Sequence, residues 1–209
     1  MVNKIIVAVD TVILAIGDKG MEVFLIKIKN EPYEGCWALP GAVVQDTESL
    51  DDAAKRVIQQ RVGDKRIHVK QLYSFGEVDR DVRGRSISVA YFALLSDKKL
   101  IKPMLNEQYS EMGWYGVDSL PKMAFDHADI LKTARIKLTF MLDEVGVVSK
   151  LLPKKFTLSE LQKVHEILSG KKIDKRNFVK KTKIDDEIVD TGEMKKGEAF
   201  RPAKLFRFR

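Results

Sequence analysis

The chain has 209 residues, enough for one large domain or two modest ones. With 44% hydrophobic and 32% charged residues, and no apolar run near the roughly 18 residues that cross a bilayer, the composition excludes a membrane span and a wholly disordered chain. A single cysteine, Cys36, excludes an intrachain disulfide. The N-terminal residues lack the features of a secretory signal, so we expect a cytoplasmic protein.

In chain order, the first predicted elements are β-strands. Apolar runs at residues 5–16 and 21–28 flank a turn and predict a hairpin. A capping-box pattern at Ser49 predicts a helix over residues 50–62. The remaining predicted elements of this part are strands at 71–75, 86–95 and 114–115 and a helix at 127–143. Strands and helices intermixed in this way predict an α/β or α+β domain over residues 1–150.

A second set of elements begins after a break in the pattern at residues 147–153. A capping-box pattern at Thr157 and a stop at Gly170 predict one helix, and Asp174 is expected to cap a second, short and basic helix. Strand-like segments at 187–191 and 203–208 then flank a basic turn at 195–197. Two helices followed by a β-hairpin with a basic tip predict a winged helix-turn-helix over residues 151–209.

The net charge of +7 is concentrated in that second set of elements. Residues 1–150 hold 21 Lys and Arg against 21 Asp and Glu, whereas residues 151–209 hold 16 basic and 9 acidic residues. A step of this size predicts two modules with different partners. The second module is expected to face a polyanion such as nucleic acid or an anionic membrane surface.

DNA binding by the second module is favoured over the simpler reading of a lysine-rich helix as a solvated surface. Three features support it: the charge step, the basic helix standing second in a helix pair, and a further basic cluster in the hairpin. The start of the basic helix is expected at base edges, with later residues at phosphates and the wing at the backbone or minor groove. The residues expected to bind DNA are Lys175, Arg176, Asn177, Lys180, Lys181, Lys195, Lys196 and Arg201.

The segment from Leu39 to Gly63 resembles the Nudix box, a loop-helix-loop that holds magnesium through helix glutamates. Glu48 and Arg56 match the box and are expected to pair, but Ala42 stands where its glycine belongs. The positions of the three helix glutamates are occupied by Val57, Gln60 and Arg61. Mg²⁺ needs oxygen ligands, whereas a valine offers none, a neutral amide is a weak ligand and an arginine repels the ion. We therefore expect no metal, no cofactor and no hydrolysis of the Nudix type.

Further segments extend this likeness to nearly the whole chain. Residues 71–85, 88–92 and 124–130 look like segments of the Nudix-related transcriptional regulators of bacterial NAD metabolism and their sugar-responsive relatives. Residues 156–162, 174–178 and 201–207 are similar to the winged helix of that family. The resemblance implies a Nudix-like mixed sheet sandwiched by helices, followed by a small winged helix-turn-helix domain. It also implies a cytoplasmic homodimer that represses genes for cofactor or sugar use.

Aromatic side chains of the first module are candidates for effector binding. Trp37 and Phe75 suit stacking on an adenine or a sugar face. Aromatic residues in β-loops are nevertheless more often part of the core. For each residue the two interpretations remain open.

Basic side chains are the other effector candidates. Arg83 and Arg85 suit a diphosphate, because a guanidinium binds two oxygens at once, and the alternative is pairing with Asp79 and Asp81. His127 is either a hydrogen-bond donor to the ligand or a helix-start histidine held by its neighbour.

The leading hypothesis is a ligand-responsive transcriptional regulator, a repressor whose inactive Nudix-like domain senses ADP-ribose or a related NAD or sugar metabolite. Its winged helix is expected to bind a palindromic double-stranded DNA operator as a homodimer, with no membrane partner. The alternative is a Nudix hydrolase of ADP-ribose, or of a related nucleoside diphosphate derivative, with a degenerate metal site. A third possibility is a sensor of a free pentose.

Overall fold

The computed structural model describes residues 4–18, 20–60, 67, 69–102, 107–141, 145–182, 186–195 and 202–209. The chain forms two compact units, residues 1–137 and 138–209. A domain boundary after residue 150 stays a prediction. Among the described residues, no helix combines the length and hydropathy needed to cross a membrane.

The first unit is organised around strand β1, Ile6–Ile16. Along one edge, β1 pairs in parallel with a strand that is distant in sequence. Along its other edge, it pairs antiparallel with two strands that are nearby in sequence. The other strands of the sheet are β2 (Met21–Ile28), β3 (Trp37–Ala38), β4 (Gly41–Val43), β5 (Val69–Phe75), β6 (Ser86–Leu95) and β7 (Tyr109–Gly116). β6 is the parallel neighbour of β1, and β5 pairs antiparallel with β6. The predicted β1–β2 hairpin and the mixed α/β architecture are confirmed.

Helix α1, Leu50–Gln59, covers one face of this sheet. It begins as predicted, because the Ser49 hydroxyl accepts the Asp52 amide at 3.2 Å and caps the free end of the helix. Its apolar face packs against Val9, Val89 and Tyr91 of the two central strands. The helix ends at Gln59, with Gln60 as its C-terminal cap, three residues before the predicted end at residue 62. Residues 62 and 63 themselves lie outside the described residues.

Helix α2, His127–Phe140, starts at the predicted residue. Its first hydrogen bonds run to the carbonyl of Asp126, from the amides of Asp129 at 2.9 Å and Ile130 at 3.1 Å. The helix ends at Phe140, three residues before the predicted end at residue 143, and Met141 is in a turn in which its amide donates to the Leu138 carbonyl. Residues 142 and 143 lie outside the described part of the chain.

The second unit has the predicted order of two main helices and a β-hairpin. Its elements are α3 (Val145–Val148), α4 (Leu158–Ser169), α5 (Lys175–Thr182), β8 (Ile188–Met194) and β9 (Lys204–Phe208). Thr157 and Glu160 complete the predicted capping box of α4, and Gly170 ends the helix in the left-handed conformation, with φ of 67°. Asp174 accepts the Asn177 amide at 2.9 Å and caps α5.

Candidate ligand cleft and DNA-binding surface

A cleft of about 580 Å³ opens beside β1 in the first unit. Its floor includes Ile6, Ala8 and Asp10, which point to the same face because side chains alternate along a strand. The neighbouring Gly41 also lines the cleft, and a Cβ added there would lie 2.2 Å from an Asp10 carboxylate oxygen. A glycine is therefore needed where β4 passes the Asp10 carboxylate.

A buried arginine organises the deep side of the cleft. The Arg80 side chain is only 4% exposed, and it donates to both carboxylate oxygens of Asp126, at 2.7 and 2.9 Å. It also donates to the Ser86 hydroxyl at 3.0 Å and lies 3.5 Å from the Asp10 carboxylate. A buried charge is tolerated only when it is paired and hydrogen-bonded in this way. Arg80 is not among the predicted site residues, since its carboxylate partners Asp126 and Asp10 are 46 and 70 residues away in the chain.

Asp10 and His127 form the second half of this buried network. The Leu39 amide donates to His127 Nδ1 at 2.9 Å, so we place the imidazole proton on Nε2, which lies 3.4 Å from Asp10 Oδ2. Burial opposes ionisation of Asp10, but His127, the Ser88 hydroxyl at 2.6 Å and Arg80 outweigh it and hold the pKa of Asp10 below its ordinary value. Asp10 is therefore a carboxylate on the cleft floor.

Two aromatic rings and an arginine form one wall of the cleft. The rings of Tyr33 and Phe125 lie 4.1 Å apart, and the Arg83 guanidinium lies 4.9 Å from the Phe125 ring centre. Phe125 has a φ of 51°, a left-handed conformation that is unusual for a large side chain. The next residues, Asp126 and His127, are held by the buried network, which keeps Phe125 in this conformation.

The predicted effector residues are only partly brought together. Arg83 and His127 line the cleft, whereas Trp37, Phe75 and Arg85 are not among the described residues that line it. Trp37 is buried against the Tyr115 ring, 4.5 Å between centres, and Phe75 contacts the ring of Tyr73 at 5.5 Å. This placement favours core packing for Trp37, whereas Phe75 is half-buried beside the exposed Tyr73. Their roles in effector binding stay predictions.

Arg85 fixes a loop, because its Nη1 donates to the carbonyls of Gly76 and Glu77 at 2.7 and 2.8 Å. Arg83 pairs with Asp81 at 2.8 Å, one of the two partners that the alternative interpretation named. The Arg83 side chain is still 57% exposed, so its pairing leaves donor groups at the surface of the cleft. The two arginines thus have different surroundings despite their matching positions around Gly84.

The Nudix-box residues that survive in this chain are structural. As predicted, Arg56 pairs with Glu48, with Nε donating to Oε2 at 2.9 Å. The hydrogen bond from Arg56, with a second from the Gln45 amide, lowers the pKa of Glu48 from 4.5 to about 2. The pair joins the loop after β4 to α1.

The box does not fit a magnesium ion at the positions that the structure describes. Val57 is buried against the sheet, and Gln60 is an exposed neutral amide beyond α1. Asp51 accepts the Tyr91 hydroxyl at 2.6 Å, and Asp52 accepts the Ser49 hydroxyl at 2.7 Å. Among the described residues, no group of three His, Cys, Asp or Glu side chains could hold a metal ion. The remaining box position, residue 61, lies outside them.

The basic face of α5 is exposed in the second unit. Lys175, Arg176, Asn177 and Lys180 all lie on the protein surface. The α4–α5 turn is held by Glu166, which accepts the Ile173 amide at 2.8 Å. Of the other predicted DNA contacts, the side chain of Lys181 and the whole of Lys196 and Arg201 lie outside the described part of the structure.

Lys195 is placed differently from the lysines of α5. Its ammonium group lies 3.1 Å from Glu160, which completes the capping box of α4, and both side chains are 35% exposed. The same Glu160 carboxylate accepts the Thr157 amide at 2.7 Å. Lys195 therefore ties the turn end of β8 to the start of α4, and a DNA contact by Lys195 must compete with this ion pair.

Comparison with known proteins identifies both modules. Residues 6–134 match the NUDIX domain family, and residues 148–208 match the NrtR DNA-binding winged helix domain. The chain is 31% identical over 207 residues to the ADPR responsive transcriptional repressor NtrR of Acinetobacter baylyi, covering 97% of this chain and 82% of that protein. It is also 35% identical over 127 residues to the ADP-ribose pyrophosphatase of Methanocaldococcus jannaschii, covering 60% of this chain and 70% of that enzyme.

Solved structures extend the likeness to the fold of both modules. Shewanella oneidensis NrtR complexed with a 27mer DNA matches with a TM-score of 0.82 and 32% identity, over 97% of this chain and 93% of that one. The NUDIX domain of the same protein complexed with ADP ribose matches with a TM-score of 0.58 and 30% identity, over 65% of this chain and 90% of that one. The expected fold, a Nudix-like sheet with helices followed by a winged helix domain, is confirmed.

Proposed function

The chain belongs to the NrtR family of regulators, with a Nudix domain followed by a winged helix, and on that premise we propose that it is an ADP-ribose-responsive transcriptional repressor. The observation that carries the proposal is the likeness to a repressor of this type through both modules, in the same order. The Nudix domain binds the effector and the winged helix binds double-stranded operator DNA. Such a protein works in the cytoplasm.

The cleft of the first unit is the proposed effector site. Arg83 presents a guanidinium at its surface, where it suits the diphosphate of ADP-ribose. The Tyr33–Phe125 wall offers flat apolar surface to a base or a sugar. Both nitrogens of His127 already face protein groups, so His127 supports the floor of the cleft, and the ligand-donor role predicted for it is less favoured.

In the proposed function, the protein binds ADP-ribose without cleaving it. The described box positions lack the carboxylates that a magnesium ion needs, and the acids nearest to them already bind other side chains of the chain. A second candidate function, hydrolysis of ADP-ribose, is favoured by the likeness of residues 6–134 to Nudix proteins that include a pyrophosphatase. Incubation with ADP-ribose and Mg²⁺ or Mn²⁺ separates the two. We expect no AMP above a protein-free control, whereas turnover of about 1 s⁻¹ would support the enzyme.

DNA binding is proposed to use a homodimer. A two-fold symmetric dimer carries two recognition helices, which suits a palindromic operator with half-sites about one helical turn apart. The exposed start of α5 would read bases, and Lys180 would contact phosphate. Sedimentation of the full chain, alone and with duplex DNA, measures both the dimer and the stoichiometry of the complex.

The experiment that tests the function has two arms. Calorimetry with ADP-ribose, NAD and free pentoses identifies the effector, and we expect ADP-ribose to bind while ribose and arabinose do not. A DNA duplex selected from a random library on the full chain is then titrated with and without saturating ADP-ribose. A change in DNA affinity supports the regulator, whereas pentose binding alone would support a sugar sensor.

A further inference from the structure

The start of α2 is fixed by residues of the effector cleft. Phe125 lines the cleft, and His127 accepts a hydrogen bond from the Leu39 amide. Asp126, between them, accepts hydrogen bonds from Nε and Nη2 of the buried Arg80. The Asp126 carbonyl accepts the amides of Asp129 and Ile130 in the first turn of the helix. A ligand that moves any of these three residues therefore also moves the first turn of α2.

The last turn of α2 is hydrogen-bonded to the end of α4. Residues 138–140 are the last of α2 and belong to the second unit. The Thr139 hydroxyl donates to the Leu168 carbonyl at 3.2 Å. Leu168 is in the last turn of α4, where backbone carbonyls have no partner within their own helix.

The end of α4 is in turn linked to the DNA-binding helix. Gln162 Nε2 donates to the Ile173 carbonyl at 2.9 Å, and Glu166 accepts the Ile173 amide. Both backbone groups of Ile173, just before α5, are thus held by α4 side chains. A displacement of α4 is passed directly to the start of α5.

From these contacts we infer that α2 transmits effector occupancy from the cleft to α5, and that the Thr139–Leu168 hydrogen bond is the joint through which it does so. The inference rests on the proposed function and adds its regulatory route. α2 has 14 residues and spans about 21 Å as one continuous helix, which makes it a stiff element with a bound group at each end. Thr139 is a positioning residue: it contacts neither the effector nor DNA in this scheme.

The test measures coupling, defined as the ratio of the DNA dissociation constants with and without saturating ADP-ribose. The DNA is a duplex selected from a random library on the wild-type full chain. Wild-type coupling is expected between roughly 5- and 150-fold, the common range for such systems. Thr139→Val keeps the shape of the side chain and removes the hydroxyl, and its coupling should fall at least about threefold, with each ligand alone bound within about twofold of wild type.

Matched variants separate this joint from general damage to the helix. Thr139→Ser keeps the hydroxyl and should keep wild-type coupling. Thr133 lies on the same helix, but its hydroxyl donates only within α2, to the Asp129 carbonyl at 2.9 Å, so Thr133→Val should also couple normally. As a second probe, Lys132→Gly softens α2 at an exposed position and should couple less than Lys132→Ala.

The outcomes distinguish the inference from the function on which it rests. Transmission through α2 is supported if the wild-type chain binds both ligands and if, among the threonine variants, only Thr139→Val shows reduced coupling. Undiminished coupling in Thr139→Val, or equal coupling in the two Lys132 variants, overturns it while leaving the repressor intact. If the wild-type chain does not bind ADP-ribose, or does not bind DNA, the proposed function is overturned and the inference with it.

Discussion

At the scale of single residues, the cleft contains two arginines in different surroundings. Arg80 is buried and hydrogen-bonded to protein groups, whereas Arg83 remains accessible to solvent. The Arg80 guanidinium is bound by Asp126, Ser86 and Asp10, so its charge is already paired within the protein and serves to position these residues. Arg83 has one carboxylate partner, Asp81, and an exposed side chain beside the aromatic wall. The accessible arginine is therefore the one that can exchange solvent contacts for ligand contacts.

Replacement of Arg83 tests this difference. Arg83→Gln should weaken ADP-ribose binding by roughly 1.5–3 kcal/mol, the usual contribution of a hydrogen bond to a charged group, as measured by calorimetry. Arg135→Gln is the matched control, because Arg135 pairs with Asp118 at the surface and does not line the cleft. Equal affinities in the two variants would argue against a diphosphate contact by Arg83.

A second residue-scale prediction concerns the Glu48–Arg56 pair. The pKa of Glu48 is lowered to about 2 in the folded chain, so its ionised form stabilises the fold at neutral pH. This stabilisation is complete above the ordinary pKa near 4.5 and is lost as the pH falls towards 2. Glu48→Gln should therefore be less stable than wild type to urea at pH 7, and the difference should shrink between pH 5 and pH 3 by circular dichroism. A difference independent of pH would contradict the assignment.

The residues that sequence reasoning missed in the cleft are those whose partners are distant in the chain. Tyr33 and Phe125 are separated by 92 positions yet form one wall, and nothing in either local segment predicts that contact. Trp37 and Phe75 were selected because they are aromatic residues in or near loops, and the same property also suits core packing. By contrast, the Glu48–Arg56 pair lies within one motif, and the resemblance of that motif to the Nudix box led to its prediction.

At the scale of elements, prediction succeeded where a local signal marks a boundary. The starts of α1 and α4 follow from caps at Ser49 and Thr157, which satisfy free amides close in sequence. β7 was expected only at residues 114–115, but it runs over Tyr109–Gly116 because it pairs along β2. The short strands β3 and β4 were not among the predicted strands, and they also owe their form to pairing with β2 and β1.

The cap of α4 provides an element-scale prediction. Thr157→Ala removes the hydroxyl that accepts the Glu160 amide and should destabilise the helix by about 1 kcal/mol, within a range of roughly 0.5–2. Hydrogen exchange of the α4 amides should accelerate accordingly, while Thr157→Ser, which keeps the hydroxyl, should exchange nearly as slowly as wild type. Unchanged exchange in Thr157→Ala would show that the cap contributes little.

At the scale of the whole molecule, the excess positive charge and the candidate effector cleft lie in different parts of the chain. Residues 1–150 are electrically balanced in sequence, and in the described cleft the buried Arg80 is matched by the carboxylates of Asp126 and Asp10. Residues 151–209 carry the excess of basic side chains, and α5 exposes several of them. This division lets the effector module remain neutral while the winged helix supplies the attraction for DNA.

The salt dependence of DNA binding tests that division. If a dimer makes about 6–10 phosphate contacts, its DNA affinity should fall by roughly 10³–10⁵ between roughly 50 and 200 mM salt, because each contact releases counterions. Lys180→Ala should weaken selected and scrambled duplexes alike and reduce the salt slope by about 1 per lost contact. Lys195→Ala should change the slope less, because Lys195 already pairs with Glu160.

Arg176 should behave differently from both lysines, because its side chain is exposed in the first turn of α5, the end of a recognition helix that reaches base edges. Arg176→Ala should cost about 1–3 kcal/mol on the selected duplex and less on a scrambled one, whereas a phosphate contact would cost the same on both. Anisotropy titrations of the full chain on the two duplexes at each salt concentration measure this difference. An Arg176→Ala variant that weakens both duplexes equally would place this arginine at the phosphate backbone, and sequence reading would then have to come from other residues of the winged helix.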